Sequence, residues 1–203
     1  MNLAEIVEQH PQDAVALVSR GRPTTYGELR RQTASLRGLL VECGVERGDR
    51  VAILCGNSRY FVIAYLAALG VGAVAVPLNV MSPSSEIQRE LDVVQPRVVF
   101  VEPAAMTAWR EVDTSNFTEL RSVIATEGHQ IDGAITLSEQ LMHAPVPILQ
   151  MGPHEVATLI FTSGTAGASK AAMLSHRNLL SNLEQLGELD QIHSTDVVYG
   201  VLP

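Results

Sequence analysis

The chain has 203 residues, 46% of them apolar, enough to bury one sizeable core or two sub-cores. A formal net charge of −8 argues against non-specific nucleic-acid binding, so a phosphate ligand would need positive charge supplied locally. Cys43 and Cys55 make neither a disulfide framework nor a metal pair, and the six histidines have no i, i+3 or i, i+4 partners that would build a zinc site.

The first residues carry Glu5 and Glu8 and no basic segment, which is not the pattern of a signal peptide, so the default location is a reducing cytoplasm. Val15–Ser19 reads as a short strand and Gly21-Arg22-Pro23 as a turn. Thr25 with Glu28 three residues on forms a capping box for a helix. The apolar face of that helix uses Leu29, Leu36, Leu39 and Leu40, and it ends near Cys43-Gly44 with glycine as the C-cap. Val51–Leu54 is a strand.

From Tyr60 to Leu78 the chain is almost wholly apolar and long enough to span a bilayer. Gly70, Gly72 and Pro77 divide it into a helical piece, Tyr60–Leu69, and a strand, Ala73–Val76, which favours the interior of an α/β protein over a membrane span. A helix from Ser84 or Ser85 through Val94 is stopped by Pro96, and Val98–Val101 is a strand of four apolar residues. Beyond it the pattern is weaker: Val123–Ala125 reads as a strand, Leu137–Met142 as a short helix, and Ala144-Pro145-Val146-Pro147 as a loop within one domain. Strands alternating with helices imply an α/β fold, a mostly parallel sheet flanked by helices on both faces.

Phe161–Lys170, read FTSGTAGASK, carries the chemistry. Glycines let backbone N–H groups approach a ligand closely, Thr162, Ser163 and Thr165 carry hydroxyl donors, and Lys170 supplies a positive charge; together they suit a polyphosphate. The competing Walker A pattern needs glycine before the lysine and Ser or Thr after it, where this chain has Ser169 and Ala171. It also opens directly into a helix, whereas Ala171-Ala172-Met173-Leu174 reads as a short buried strand and the next helix starts only at Ser175–Asn178. Walker A is therefore disfavoured.

The stretch resembles the phosphate loop of the adenylate-forming family: acyl-CoA synthetases, aryl and luciferase-type ligases, and peptide-synthetase adenylation domains. Phe161, Thr162, Ser163, Gly164, Thr165, Gly167 and Lys170 match that family's pattern. Thr25-Tyr26-Gly27-Glu28-Leu29 and the run from Ala68 to Asn79 are similar to two of its earlier motifs, and Ser175-His176-Arg177-Asn178-Leu179 to the segment after the loop. The order of these motifs makes the resemblance far more specific than one glycine-rich loop. It implies the N-terminal portion of the adenylate-forming ligase fold across 1–203.

The activity so implied has two steps. A carboxylate attacks the α-phosphorus of ATP, with Mg2+, to give an acyl-adenylate and pyrophosphate; a thiol, that of CoA or of a carrier protein, then displaces AMP. The resemblance assigns Thr162, Ser163, Gly164, Thr165, Gly167 and Lys170 to the departing pyrophosphate, with no nucleophile, general base or metal ligand among them. Pro77-Leu78-Asn79 followed by Met81–Glu86 is more like fatty-acid:CoA ligases than peptide-synthetase domains, which implies a fatty acid as the carboxylic acid.

Three positions depart from the family pattern. Ala166 stands for a threonine, on the order of 1.5–3 kcal/mol if that hydroxyl bonds a charged oxygen. Ser169 stands for proline, about 0.4–1 kcal/mol through loop flexibility. Ala171 stands for glycine, roughly 1–2 kcal/mol if positive φ is required. The later family elements, a magnesium-linked glutamate, a ribose-binding aspartate, a hinge and a C-terminal lysine, are absent from 1–203. Two expectations follow: a truncated or N-terminal piece of a larger ligase that does not complete adenylation alone, or a catalytically incompetent binding or interaction module that keeps the fold. Thr25–Leu29, Gly70, Gly72, His176 and Arg177 are read as structural.

Overall fold

In this computed structural model the structure describes residues 1–126, 131–137, 143–162, 170–189, 193 and 196–200. A short 3-10 turn at Leu3–Val7 is capped by Asn2, whose Nδ2 donates to the carbonyls of Leu69 at 2.7 Å and Leu149 at 2.9 Å. Five residues are too few for a periodic signal, so the sequence pattern does not foreshadow it.

β1 (Val15–Ser19) and β2 (Arg22–Thr25) pair antiparallel as a separate two-stranded sheet. The expected turn at Gly21-Arg22-Pro23 is displaced. Arg20 and Gly21, at φ 52° and 76°, make the left-handed two-residue turn, and Pro23 lies in the ladder opposite Val18. A two-stranded sheet has only edge strands, where proline is tolerated.

α1 (Tyr26–Glu42) begins as expected: Thr25 Oγ1 accepts the Glu28 N–H at 3.2 Å while Glu28 Oε2 accepts the Thr25 N–H at 3.0 Å. Gly44 at φ 74° follows its C-cap, and the Val45 N–H returns to the Leu40 carbonyl at 2.9 Å. The remaining elements are β3 (Arg50–Leu54), α2 (Arg59–Gly70), β4 (Val74–Pro77), α3 (Ser84–Val94), β5 (Val98–Val101), the single turn α4 (Met106–Trp109), β6 (Ser122–Thr126), β7 (Ile135–Leu137), β8 (Val156–Thr162), β9 (Lys170–Ser175) and α5 (His176–Glu188). Leu137 closes β7 beside β6 instead of opening a helix, and 138–142 lie outside the described residues.

The main sheet runs β7-β6-β5-β3-β4-β8-β9, parallel at every pairing except β8 with β9. Its central strands β3, β4 and β5 are apolar on both sides because both faces are covered there. Val51, Ile53, Ala75, Val98 and Phe100 face α1 and α2, whereas Ala52, Leu54, Val76, Val99 and Val101 face α3 and α4. α2 owes its all-round apolar character to burial between sheet and α1. Its 12 residues rise about 18 Å, well short of the ~30 Å of a bilayer core. Among the described residues, no helix is long and apolar enough to cross a membrane.

The segment 143–151 is strapped across α1 and α2 as part of the same body. His143 N–H donates to Ser35 Oγ at 3.1 Å, Val146 N–H to the Ala34 carbonyl at 3.1 Å, and Arg37 Nε to the Val146 carbonyl at 2.6 Å. Gly38 allows this contact, because a Cβ there would collide with the Ala144 carbonyl.

Chain order sets where a ligand can enter. β3 leads through α2 to β4 on one side, and β4 leads through α3 back to β5 on the other side of β3. Such a reversal leaves a crevice at the carboxyl ends of the strands.

Candidate functional site

The stretch singled out by composition is a hairpin connection. β8 ends at Thr162, β9 starts at Lys170, and the two residues face each other in the antiparallel register. Thr162 Oγ1 donates to the Lys170 carbonyl at a long 3.4 Å. Ser163, Gly164, Thr165 and Gly167 lie outside the described residues, as do Ala166 and Ser169. Lys170 is exposed, and among the described residues its ammonium forms no ion pair.

β9 is a strand, as expected, but not a buried one: Met173 is 67% exposed. The physical reason is its place at the sheet edge, where it pairs with β8 alone. A strand instead of a helix immediately after the lysine remains inconsistent with a Walker A loop.

Beside Thr162 a cavity of about 890 Å³ opens at the carboxyl ends of β3, β4 and β8. Pro77, Leu78 and Asn79 line it, so the end of β4 does reach the cleft. Asn79 is also used locally, its Oδ1 accepting the Met81 N–H at 2.9 Å and its carbonyl the Ser82 N–H at 3.1 Å. On the α2 side, the Tyr65 hydroxyl and Thr158 Oγ1 are 2.7 Å apart and satisfy each other. Burial raises the Tyr65 phenol above its usual range, so it stays neutral.

The rim formed by Gly56 and Asn57 is held by Glu102, a residue the motif reading missed. Glu102 is 1% exposed and follows the apolar run of β5 directly. Its carboxylate accepts the Gly56 N–H at 2.9 Å, the Ser58 hydroxyl at 3.1 Å and Arg20 Nη2 at 2.9 Å. An acidic residue ending a buried strand was the one available signal. Cys55 lines the cavity, yet burial and then the Glu102 charge push its thiol well up, so it is no ready nucleophile.

His176 is in the core. Its Nδ1 accepts the Leu3 N–H at 3.1 Å, while Nε2 has no partner among the described residues. Burial lowers its pKa, with Glu155 opposing. Arg177 is exposed and its N–H caps the Pro153 carbonyl at 2.9 Å. Gly70 lies against Arg37 Cδ, and Thr25–Leu29 starts α1; none of these touches the cleft. Among the described residues no group of three or more His, Cys, Asp or Glu side chains could hold a metal ion.

The profile of a family described as AMP-binding enzyme matches residues 3–203. The chain is 29% identical over 215 residues to the acyl-CoA ligase sidI of Beauveria bassiana, covering 98% of this chain and 37% of that protein. It is 33% identical over 186 residues to an octahydroindenyl-propanoyl:CoA ligase of Mycobacterium tuberculosis, covering 88% of this chain and 36% of the other. The fold superimposes on the anthranilate CoA ligase AuaEII, solved with anthranoyl-AMP, at a TM-score of 0.86 and 20% identity, over 92% of this chain and 37% of that one. The chain therefore spans little more than a third of the length of these relatives.

Proposed function

Because the chain belongs to the AMP-binding enzyme family, we propose that it supplies the nucleotide-phosphate grip of an ATP-dependent acid:thiol ligase. In this reading 1–203 is the N-terminal part of the AMP-binding domain. The whole ligase activates a carboxylic acid, a fatty acid, as its acyl-adenylate and passes the acyl group to CoA. The observation that carries the reading is the β8–β9 hairpin, in which Thr162 lines a cleft at the carboxyl edge of a parallel sheet and pairs with Lys170 across the strands.

The chemistry follows from charge. When a carboxylate attacks the α-phosphorus, negative charge grows on the departing pyrophosphate, and donors aimed at it lower the barrier. Lys170 would contribute a full positive charge, Thr162, Ser163 and Thr165 hydroxyl donors, and Gly164 and Gly167 backbone N–H groups. Each positions or stabilises, and none is a nucleophile or base. Mg2+ accompanies ATP in such reactions; among the described residues no group of three or more His, Cys, Asp or Glu side chains gathers to hold it, and no step here runs through it. The unpaired Cys43 and Cys55 fit a reducing, cytoplasmic setting.

Titration of the chain with ATP and with pyrophosphate, comparing wild type with Lys170→Ala, tests the grip. Loss of binding in the variant supports it, and wild-type binding that survives the substitution removes Lys170 from the site. ATP–pyrophosphate exchange by a polypeptide continuing into the rest of the family's length tests the activity. Ala166, Ser169 and Ala171 favour a second reading, a binding module without turnover, which predicts binding without exchange in that longer chain.

A further inference from the structure

The cavity beside Thr162 carries a feature that a phosphate grip does not use. Glu90, on α3, is 6% exposed and faces into it, yet among the described residues its carboxylate accepts no hydrogen bond. Arg89 is the next residue along the chain, but its guanidinium forms no ion pair with Glu90. One helical turn back, Glu86 lines the same cavity. Two carboxylates thus meet one largely apolar chamber, and no Lys, Arg or His lines it among the described residues.

Among the described residues the Glu90 carboxylate has no protein donor, so its oxygens open on the cavity, and water or a ligand there must supply one. Two of the polar groups on the walls already have partners: the Tyr65 hydroxyl is bound to Thr158, and Asn79 to the turn at Met81. Of the two carboxylates left open, Glu90 is the buried one. We propose that the cavity is a binding site for a small apolar molecule bearing a primary ammonium group, with Glu90 as its counter-ion and Glu86 as a second negative charge behind it.

The wall chemistry supports the division of labour. Leu78, Val80, Ile160 and Phe161 offer an apolar bed for the hydrocarbon body, and Glu90 sets its orientation. The same charges reject a free carboxylate at this end of the chamber. Burial, with Glu86 adding to it, pushes the Glu90 carboxyl up to about 7, while Arg89 opposes the shift. An ammonium would therefore bind best where Glu90 is ionised, above that value, and more weakly below it. The other ionisable groups facing the cavity are Glu86, the Cys55 thiol and the Tyr65 phenol. Burial raises the last two, so both are neutral throughout this range.

The site shares its cavity with Thr162, but its charge comes from α3 and not from the loop at 163–169, so ATP binding and amine binding can each fail alone. The test is isothermal titration of the chain with n-hexylamine, hexanol and hexanoate at pH 8. Hexylammonium should bind at least tenfold tighter than either control, and Glu90→Gln should bring it to the level of hexanol. In the unmodified protein, lowering the pH to 6 should weaken hexylammonium several-fold and leave hexanol unchanged, which keeps the test valid should the variant not fold. Equal affinity for the three ligands, preference for hexanoate, or pH-independent amine binding would overturn the proposal.

Discussion

Replacing Glu102 with alanine removes one acceptor from three donors of different standing. The Gly56 N–H and the Ser58 hydroxyl are held at 2.9 and 3.1 Å by a carboxylate that is 1% exposed, so both lose a charge-assisted bond inside the protein. Such bonds contribute about 1.5–3 kcal/mol each. The Arg20 guanidinium sits at 2.9 Å, but its side chain is 73% exposed, and water can replace the lost partner. That pair contributes no more than about 1 kcal/mol. The desolvation of the carboxylate disappears with it and offsets part of the loss. The expected net cost of Glu102→Ala is about 2–5 kcal/mol, against less than about 1 kcal/mol for Arg20→Ala. Equilibrium unfolding in guanidinium chloride measures both, with the double variant closing the cycle. A cost for Arg20→Ala equal to that of Glu102→Ala would show that the hairpin salt bridge, and not the β3–α2 loop, is what the carboxylate supports.

Glu90 gives a pH prediction with a definite sign. Its folded-state pKa is raised from 4.5 to about 7, so its favourable contribution is complete below pH 4.5 and is lost as pH rises to 7. The loss is at most about 3 kcal/mol, at about 1.4 kcal/mol per pH unit and less where cavity water screens the charge, and Glu90→Gln should therefore be the more stable protein at pH 8 but not at pH 4, read by urea denaturation at both values. His176 has the opposite sign. Its pKa is lowered by burial, so its contribution is present above about pH 6.5 and falls as pH drops through the depressed folded value. His176→Asn, which keeps an acceptor for the Leu3 N–H, should flatten that fall in thermal melts between pH 7 and 5. Gly38→Ala should destabilise by about 1–3 kcal/mol, because the new methyl meets the Ala144 carbonyl, and a melting temperature unchanged within 1–2 °C would show that the 143–146 strap yields freely.

The parts of this protein readable from its sequence are those whose signals lie within a turn of one another. Thr25 and Glu28 announce the start of α1 because both halves of the capping box are three residues apart. Val51–Leu54 and Val98–Val101 announce buried strands because no polar residue interrupts them. Thr162 and Lys170 mark the candidate phosphate loop for the same reason, a dense local pattern. Gly21-Arg22-Pro23 failed as a turn because Arg20 takes the left-handed position that residue type alone would not assign it.

Pairings across the chain were decided only by the tertiary structure. Glu102 meets Gly56 and Arg20 across 46 and 82 residues, Arg37 meets Val146 across 109, and His176 meets Leu3 across 173. Nothing local distinguishes Glu90, with its open carboxylate, from any other glutamate on an amphipathic helix; what sets it apart is the cavity that β3, β4 and β8 leave at their ends. Sequence determines which faces want burial and which groups carry charge. Only packing decides which of those groups loses water and which donors remain within reach, and solvation and distance are what turn a residue type into a site.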